Sequence, residues 1–233
     1  MIMKHPMPIL FLHRLILALC LLPSLCMAGN KAPWVGLDFQ ERPCSGSDGS
    51  NWYGPYDYSK PSEKGKIPIV EEHHFNANVE NHIRGQEGYL GGDLNYTLMA
   101  IPNHHRALLS IINFQLKLNK KLISFKDNNN LLTTPVECYL QRAIHFSPED
   151  PATYSLYAYY FRKLNKLNES KKFYEKALFL DPESEKLAYS YGLLMLDMKD
   201  YDSALKYAKK AYRDKRAPPG LRNKLTSLGK WAD

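Results

Sequence analysis

Between Arg142 and Arg213 the apolar positions of this chain recur on two scales at once, a helical spacing of three to four residues and a longer one of 34. Ala143, Ala177 and Ala211 stand 34 apart, as do Ile144 and Leu178, Phe146 and Leu180, Pro148 and Pro182, Tyr157 and Tyr191, Ala158 and Gly192, and Phe161 and Met195. Each long period holds two amphipathic stripes. The spacing predicts helices over Pro151–Leu164 and Glu169–Leu180, then over Ser184–Met198 and Tyr201–Arg213. Upstream, Asn103 is placed to cap a helix over His104–Leu118, in which Leu108, Ile111 and Ile112 share a face. Its partner is Pro135–Phe146, reached through a polar insertion, Asn119–Thr134. Downstream, Pro218-Pro219-Gly220 breaks the pattern, and Leu221–Trp231 reads as a final helix with Leu221, Leu225 and Leu228 inward and Arg222, Asn223 and Lys230 outward.

The residues at these positions resemble the tetratricopeptide repeat (TPR) family, whose 34-residue unit is a helical hairpin. One unit carries Tyr154, Tyr157-Ala158, Phe161, Tyr174, Ala177 and Pro182, with Ser170 where the family prefers Ala. The next carries Tyr191-Gly192, Met195, Ala204, Ala208 and Ala211, with Ala188 in place of the leading aromatic and Arg216 in place of Pro. The resemblance implies an all-α fold: a TPR-like helical-hairpin solenoid, with the irregular N-terminal region packed against it. It also implies a protein-binding scaffold. By the family's geometry Ser155, Tyr159, Arg162, Tyr189, Leu193 and Leu196 point into a groove along the first helices. That groove takes either an external polypeptide or this chain's own C-terminal helix or N-terminal aromatic segment.

The periodicity fades toward the N-terminus. Residues 29–102 form an irregular Gly/Pro/Tyr-rich region with short helices, and 103–233 the repeats with a capping helix. Trp52, Tyr53, Tyr56 and Tyr58 make an aromatic patch that either packs onto the first helices or anchors a partner. Ile67–Val70 reads as a short strand or an extended tether, with Pro68 arguing against a central strand. Phe75, Val79, His82 and Ile83 are spaced as one side of a short helix ending at Gly85, and Asp93 is placed to cap a helix running to Ala100. The glycines between, Gly85, Gly88, Gly91 and Gly92, do not follow a nucleotide-binding spacing.

Composition adds a location. Residues 1–28 read as a signal peptide: Lys4 and Arg14 precede the apolar run Leu15–Leu25, and Cys26-Met27-Ala28 supplies small residues before Gly29. The run is shorter than the roughly 20 residues a spanning helix needs, so the expectation is cleavage rather than retention as an anchor, and no stable membrane insertion afterwards. The location expected is periplasmic or secreted. Two cysteines, Cys44 and Cys138, then remain, either bridged or with Cys138 a buried free thiol. A bridge across that span is worth roughly 4 kcal/mol by loop closure. Charge is unevenly spread, with 6 Lys/Arg against 10 Asp/Glu in 29–102 and 23 against 14 in 103–233. The halves are thus −4 and +9, which suits packing of one on the other or an acidic partner. Export argues against nucleic acid as that partner.

Candidate chemistry rests on histidine. His73, His74, His104 and His105, near Glu71 and Asp93, are the residues from which a metal site would be built, although the His-Glu-x-x-His spacing of a zinc protease is absent. Cys44 lacks the helix start that activates a nucleophile, and no Gly-x-Ser-x-Gly occurs. The expected function is a non-catalytic scaffold, adaptor or assembly factor for a protein or peptide partner in the cell envelope, without a cofactor. The alternative is a metal-binding protein or metal-dependent hydrolase using the His-rich segment.

Overall fold

The hairpin turns show how the repeat is built. After α6 (Pro151–Lys163) the chain reverses at Asn165 with φ +59°, and after α8 (Glu185–Asp197) at Lys199 with φ +63°, again 34 residues on. In each, the amide after the left-handed residue reaches back a full turn: Lys166 N bonds Phe161 O and Asp200 N bonds Met195 O, both 2.9 Å. This is the Schellman closure of a helix C-terminus, and it uses Asn and Lys where glycine is customary. The chain then enters α7 (Leu167–Leu180) and α9 (Tyr201–Ala211). Asp150, Ser184 and Asp200 cap α6, α8 and α9 by accepting backbone N–H groups, and Pro151 occupies the first turn of α6.

The structure, a computed structural model, describes residues 32–46, 53–124 and 130–231. All of them fall within one unit, Lys31–Asp233. The signal peptide expected over 1–28, Trp52 and part of the polar insertion lie outside the described residues. Those described contain ten α-helices and no strand beyond an isolated bridge between Leu37 and Pro43. The fold is all-α and TPR-like: α6–α7 and α8–α9 are the regular hairpins, preceded by α4 (His105–Asn119) and α5 (Val136–Phe146). Small residues sit where paired helices approach. Ala158, Ala177, Ala204, Ala208 and Ala211 are fully buried, and Ser170, standing in for the family's Ala, donates its hydroxyl to Ala158 O at 2.8 Å.

α10 (Gly220–Ser227) closes the stack by burying Leu221 and Leu225 against α8 and α9. A Cβ on Gly192 would lie 2.7 Å from the Leu221 side chain, so glycine permits this approach. Leu228, expected inward, is exposed because the helix has already ended.

Several N-terminal expectations are corrected. Ile67–Val70 belongs to α1 (Ile67–His74), not to a strand or tether; Pro68 lies in its first turn, where a missing N–H costs nothing. Ile67 and Val70 pack there on Ala100 and Ile101 at the end of α3 (Leu90–Ala100). The next helix, α2 (Ala77–Glu80), is a single turn capped by Asn76; around it Phe75, Val79 and His82 are buried while Ile83 is left exposed. Asp93 lies inside α3 rather than at its cap. Its buried carboxylate instead accepts the backbone N–H groups of Gln86 and Glu87 and so organises the glycine loop.

The stretch 32–46 is ordered by one face of α5. Glu137 accepts Phe39 N–H at 2.9 Å, Gln141 donates to Leu37 O at 2.8 Å, and Arg142 donates to Ala32 O and Leu98 O, each at 2.7 Å. Cys44 and Cys138 form a disulfide across 94 positions. Gly36, at φ +82°, is needed in this loop, since a Cβ there would strike the Gln141 side chain.

Candidate functional site

Where the N-terminal region meets the repeats, the contacts are polar and buried. Asn103, fully buried, divides its amide between two carboxylates, donating to Asp57 at 2.7 Å and Asp150 at 3.1 Å, while its carbonyl accepts Tyr58 N–H. Asp57 also accepts from Ser59 and Ser147, and Asp150 from Thr153 and His105. Burial alone would raise both carboxyls, but these donors outweigh it and hold each below the ordinary carboxylate range. Asn103 is therefore not the cap of α4, as its position in the sequence suggests. His104 is that cap: its Nδ1 accepts Ala107 N–H at 3.1 Å.

That bond fixes the His104 tautomer. With Nδ1 an acceptor, Nε2 carries the proton and donates it to Glu71 at 2.9 Å. Burial pushes the His104 pKa down, and the bond from His104 holds Glu71 low. Arg106 joins Glu71 to Glu80, completing a bridge between α1, α2 and α4.

The four histidines considered for a metal do not converge. His73 pairs with Glu87, His74 with Asp93, His104 with Glu71 and His105 with Asp150, each with its own carboxylate. Among the described residues, no group of three or more His, Cys, Asp or Glu is arranged to hold a metal ion. The physical reason is helical geometry. Adjacent histidines on a helix point about 100° apart, so α1 sends His73 and His74 to different neighbours. His104, the extended cap residue, turns to Glu71, while His105, the first residue of α4, turns to Asp150. Both nitrogens of His104 are occupied and the ring is fully buried, which leaves it no role as a base.

The aromatic patch is divided. Tyr56 and Tyr58 pack on Ile67, Val70, Ala100 and Ile101, and Tyr58 also lies against the rings of His104 and His105. Tyr53 stays exposed beside Tyr56, with ring centroids 4.9 Å apart.

The groove residues also separate. On α6, Ser155 and Tyr159 are half-buried, and Tyr159 lies 3.5 Å from Asn113 of α4 with the Lys163 ammonium 5.3 Å from its ring. Arg162 is not a free cation; it donates to Asp197 of α8 at 2.6 Å and ties the two first helices together. On α8 the expected groove is covered by the chain itself. Leu196 is 8% exposed and joins Leu193 in the cluster around Leu221 and Leu225, while Tyr189 packs on the Tyr212 ring with its hydroxyl against Gly220. The open part of the first-helix face therefore shifts toward α4, where Leu109 is 39% exposed one turn before Asn113. Neither residue stands out in the sequence. Leu109 sits beside Leu108 in an apolar run, and only the packing shows which of the two faces outward.

No protein-family model matches the chain, and no curated protein sequence matches it. Among solved structures, PilF of Pseudomonas aeruginosa is similar over 72% of this chain and 70% of its own, at 17% identity and a TM-score of 0.47. MamA is similar over 59% of this chain and 70% of its own, also at 17% identity, with a TM-score of 0.38.

Proposed function

We propose that this protein is a non-catalytic scaffold that holds a polypeptide partner in the periplasm or cell envelope, across the face shared by α4 and α6. The observation that carries this reading is the exposed Leu109 in line with Asn113, beside Ser155, Tyr159 and Lys163. An apolar anchor point, hydrogen-bonding side chains and a cation are thus presented on rigid helices. The apolar run Leu15–Leu25 behind a basic lead and the Cys44–Cys138 bridge support export to an oxidising compartment. Among the described residues no helix is long and apolar enough to cross a membrane.

A photo-crosslinking residue at position 109 tests the face directly in cells of the native host. It is expected to capture one discrete protein species that the same crosslinker at exposed position 224 on α10 does not, and that Tyr159→Ala abolishes without loss of the folded state. Identical products from both positions, or capture indifferent to Tyr159→Ala, would refute the reading. Recovery of the intact protein from the cytosolic fraction alone would refute the location.

A further inference from the structure

The second helices carry a different chemistry on their outer faces. On α7, Lys172, Lys176 and Phe179 lie at i, i+4 and i+7 and so share one stripe. All three are exposed, and Phe179, at 77%, is the most exposed large apolar side chain among the described residues. The Lys176 ammonium lies 5.1 Å from its ring. On α9, Lys206 and Lys209 and, just beyond the helix end, Arg213 form a second exposed stripe. The C-terminal ends of the two helices adjoin, because Lys210 and Arg213 both bond Glu183 at 3.0 Å.

The acids nearby are largely spoken for. Glu183 is taken by those two cations, and Glu175 by Lys171 and the Tyr191 hydroxyl. Glu185 shares Arg213, Glu169 and Asp202 stand at the N-terminal ends of the stripes, and Asp181, half-buried, follows Phe179 at the C-terminal end of α7. Among the described residues Lys172, Lys176, Lys206 and Lys209 have no carboxylate within ion-pair distance. The result is a cationic surface with one ring projecting from it. A polypeptide buries an aromatic anchor between walls, and a ring so exposed has none. A lipid headgroup layer needs no walls: the ring enters the acyl boundary while long lysine stems reach the phosphates around it.

We propose that the outer faces of α7 and α9 bind peripherally to an anionic lipid surface, with Phe179 as the inserted side chain and Lys172, Lys176, Lys206 and Lys209 as the electrostatic contacts. Each cation near an anionic bilayer is worth about a fivefold change in partitioning. The proposal is independent of the α4–α6 face, which belongs to the first helices.

The test is co-sedimentation of the full chain with phosphatidylcholine vesicles, with and without about one third phosphatidylglycerol. Anionic vesicles are expected to bind it in a salt-sensitive way. Lys172→Glu with Lys176→Glu should lower partitioning by at least about tenfold, and Phe179→Ala severalfold. The control, Lys186→Glu with Lys224→Glu, makes the same change in net charge elsewhere on exposed sites and should stay within about twofold of the parent. Every substituted side chain is exposed, so thermal unfolding should be unaltered. Equal binding to neutral vesicles, as the apolar run Leu15–Leu25 alone would give, overturns the proposal. So does loss in the control pair equal to that in the α7 pair, or binding to soluble polyglutamate in the absence of vesicle binding.

Discussion

Acidification should weaken the fold through His82 before it protonates the carboxylates that organise the junction. His82 is 9% exposed, at φ +65°, with its ring 5.1 Å from that of Phe114. Lys117 Nζ lies 3.0 Å from Nδ1 and acts as donor, so Nδ1 is the bare nitrogen and Nε2 donates to Ser110 O at 3.0 Å. A second proton would have to sit on Nδ1, facing an ammonium. Burial first, and the Lys117 charge second, push the pKa down from 6.5 to about 4. An imidazole whose folded pKa lies below its unfolded one supports the fold above the unfolded value. That support is lost as pH falls from about 6.5 toward about 4. Integrated between pH 7 and pH 5, the loss is about 1–2 kcal/mol. Over the same interval Asp57, Asp150 and Glu71, all held low, remain ionised, and His104 contributes with the same sign.

The assay is urea unfolding at the two pH values for the parent and for His82→Gln, whose amide can donate to Ser110 O and accept from Lys117. The parent should lose about 1–2 kcal/mol more than the variant, since every other titrating group is common to both. An NMR titration of the His82 ring protons should give a midpoint near 4, moving upward in Lys117→Gln. A midpoint at about 6 or above in the parent, or the same pH-dependent loss in His82→Gln, would show that the ring is not held neutral by its surroundings.

Two further outcomes follow from the backbone and the bridge. Lys199→Gly should raise stability by about 0.5–1 kcal/mol in denaturant melts, because the exposed Lys199 holds φ +63° in a turn where glycine is unstrained; a lower midpoint would mean that its side chain makes a contact worth more than the strain. Cys44→Ser with Cys138→Ser should lower stability by about 2–4 kcal/mol and increase protease cutting within 32–46 ahead of the helices, whereas unchanged stability would mean that Glu137, Gln141 and Arg142 hold that loop unaided.

The repeats are legible because their signal is local. Each helix from α6 to α9 declares itself within a few turns through apolar spacing and small residues at the close approaches, and α6, α8 and α9 also through a capping Asp or Ser. The hairpin turns are less legible in kind: Asn165 and Lys199 take the left-handed conformation, but glycine, the residue that usually marks it, is absent. Ile67–Val70 misleads for a related reason. A proline in a short apolar run suits either an extended segment or the first turn of a helix, and packing of Ile67 and Val70 against the end of α3 selects the helix. The groove is lost on α8 because a repeat pattern specifies which residues face the first-helix surface, not whether another part of the chain covers it.

The all-α architecture, the 34-residue register and the positions of most helices are thus written locally along the chain, since hydrophobic periodicity and caps act over distances of a few residues. Tertiary structure alone decided which carboxylate each histidine meets, that Asn103 joins Asp57 to Asp150, that the 36–44 loop is ordered on α5, and that α10 closes the face of α8. Those contacts join residues 33, 46 and 98 positions apart, as in His104–Glu71, Asn103–Asp57 and Phe39–Glu137. No period in the chain encodes such separations. Each pairing is settled only when burial removes water and the polar groups must find one another.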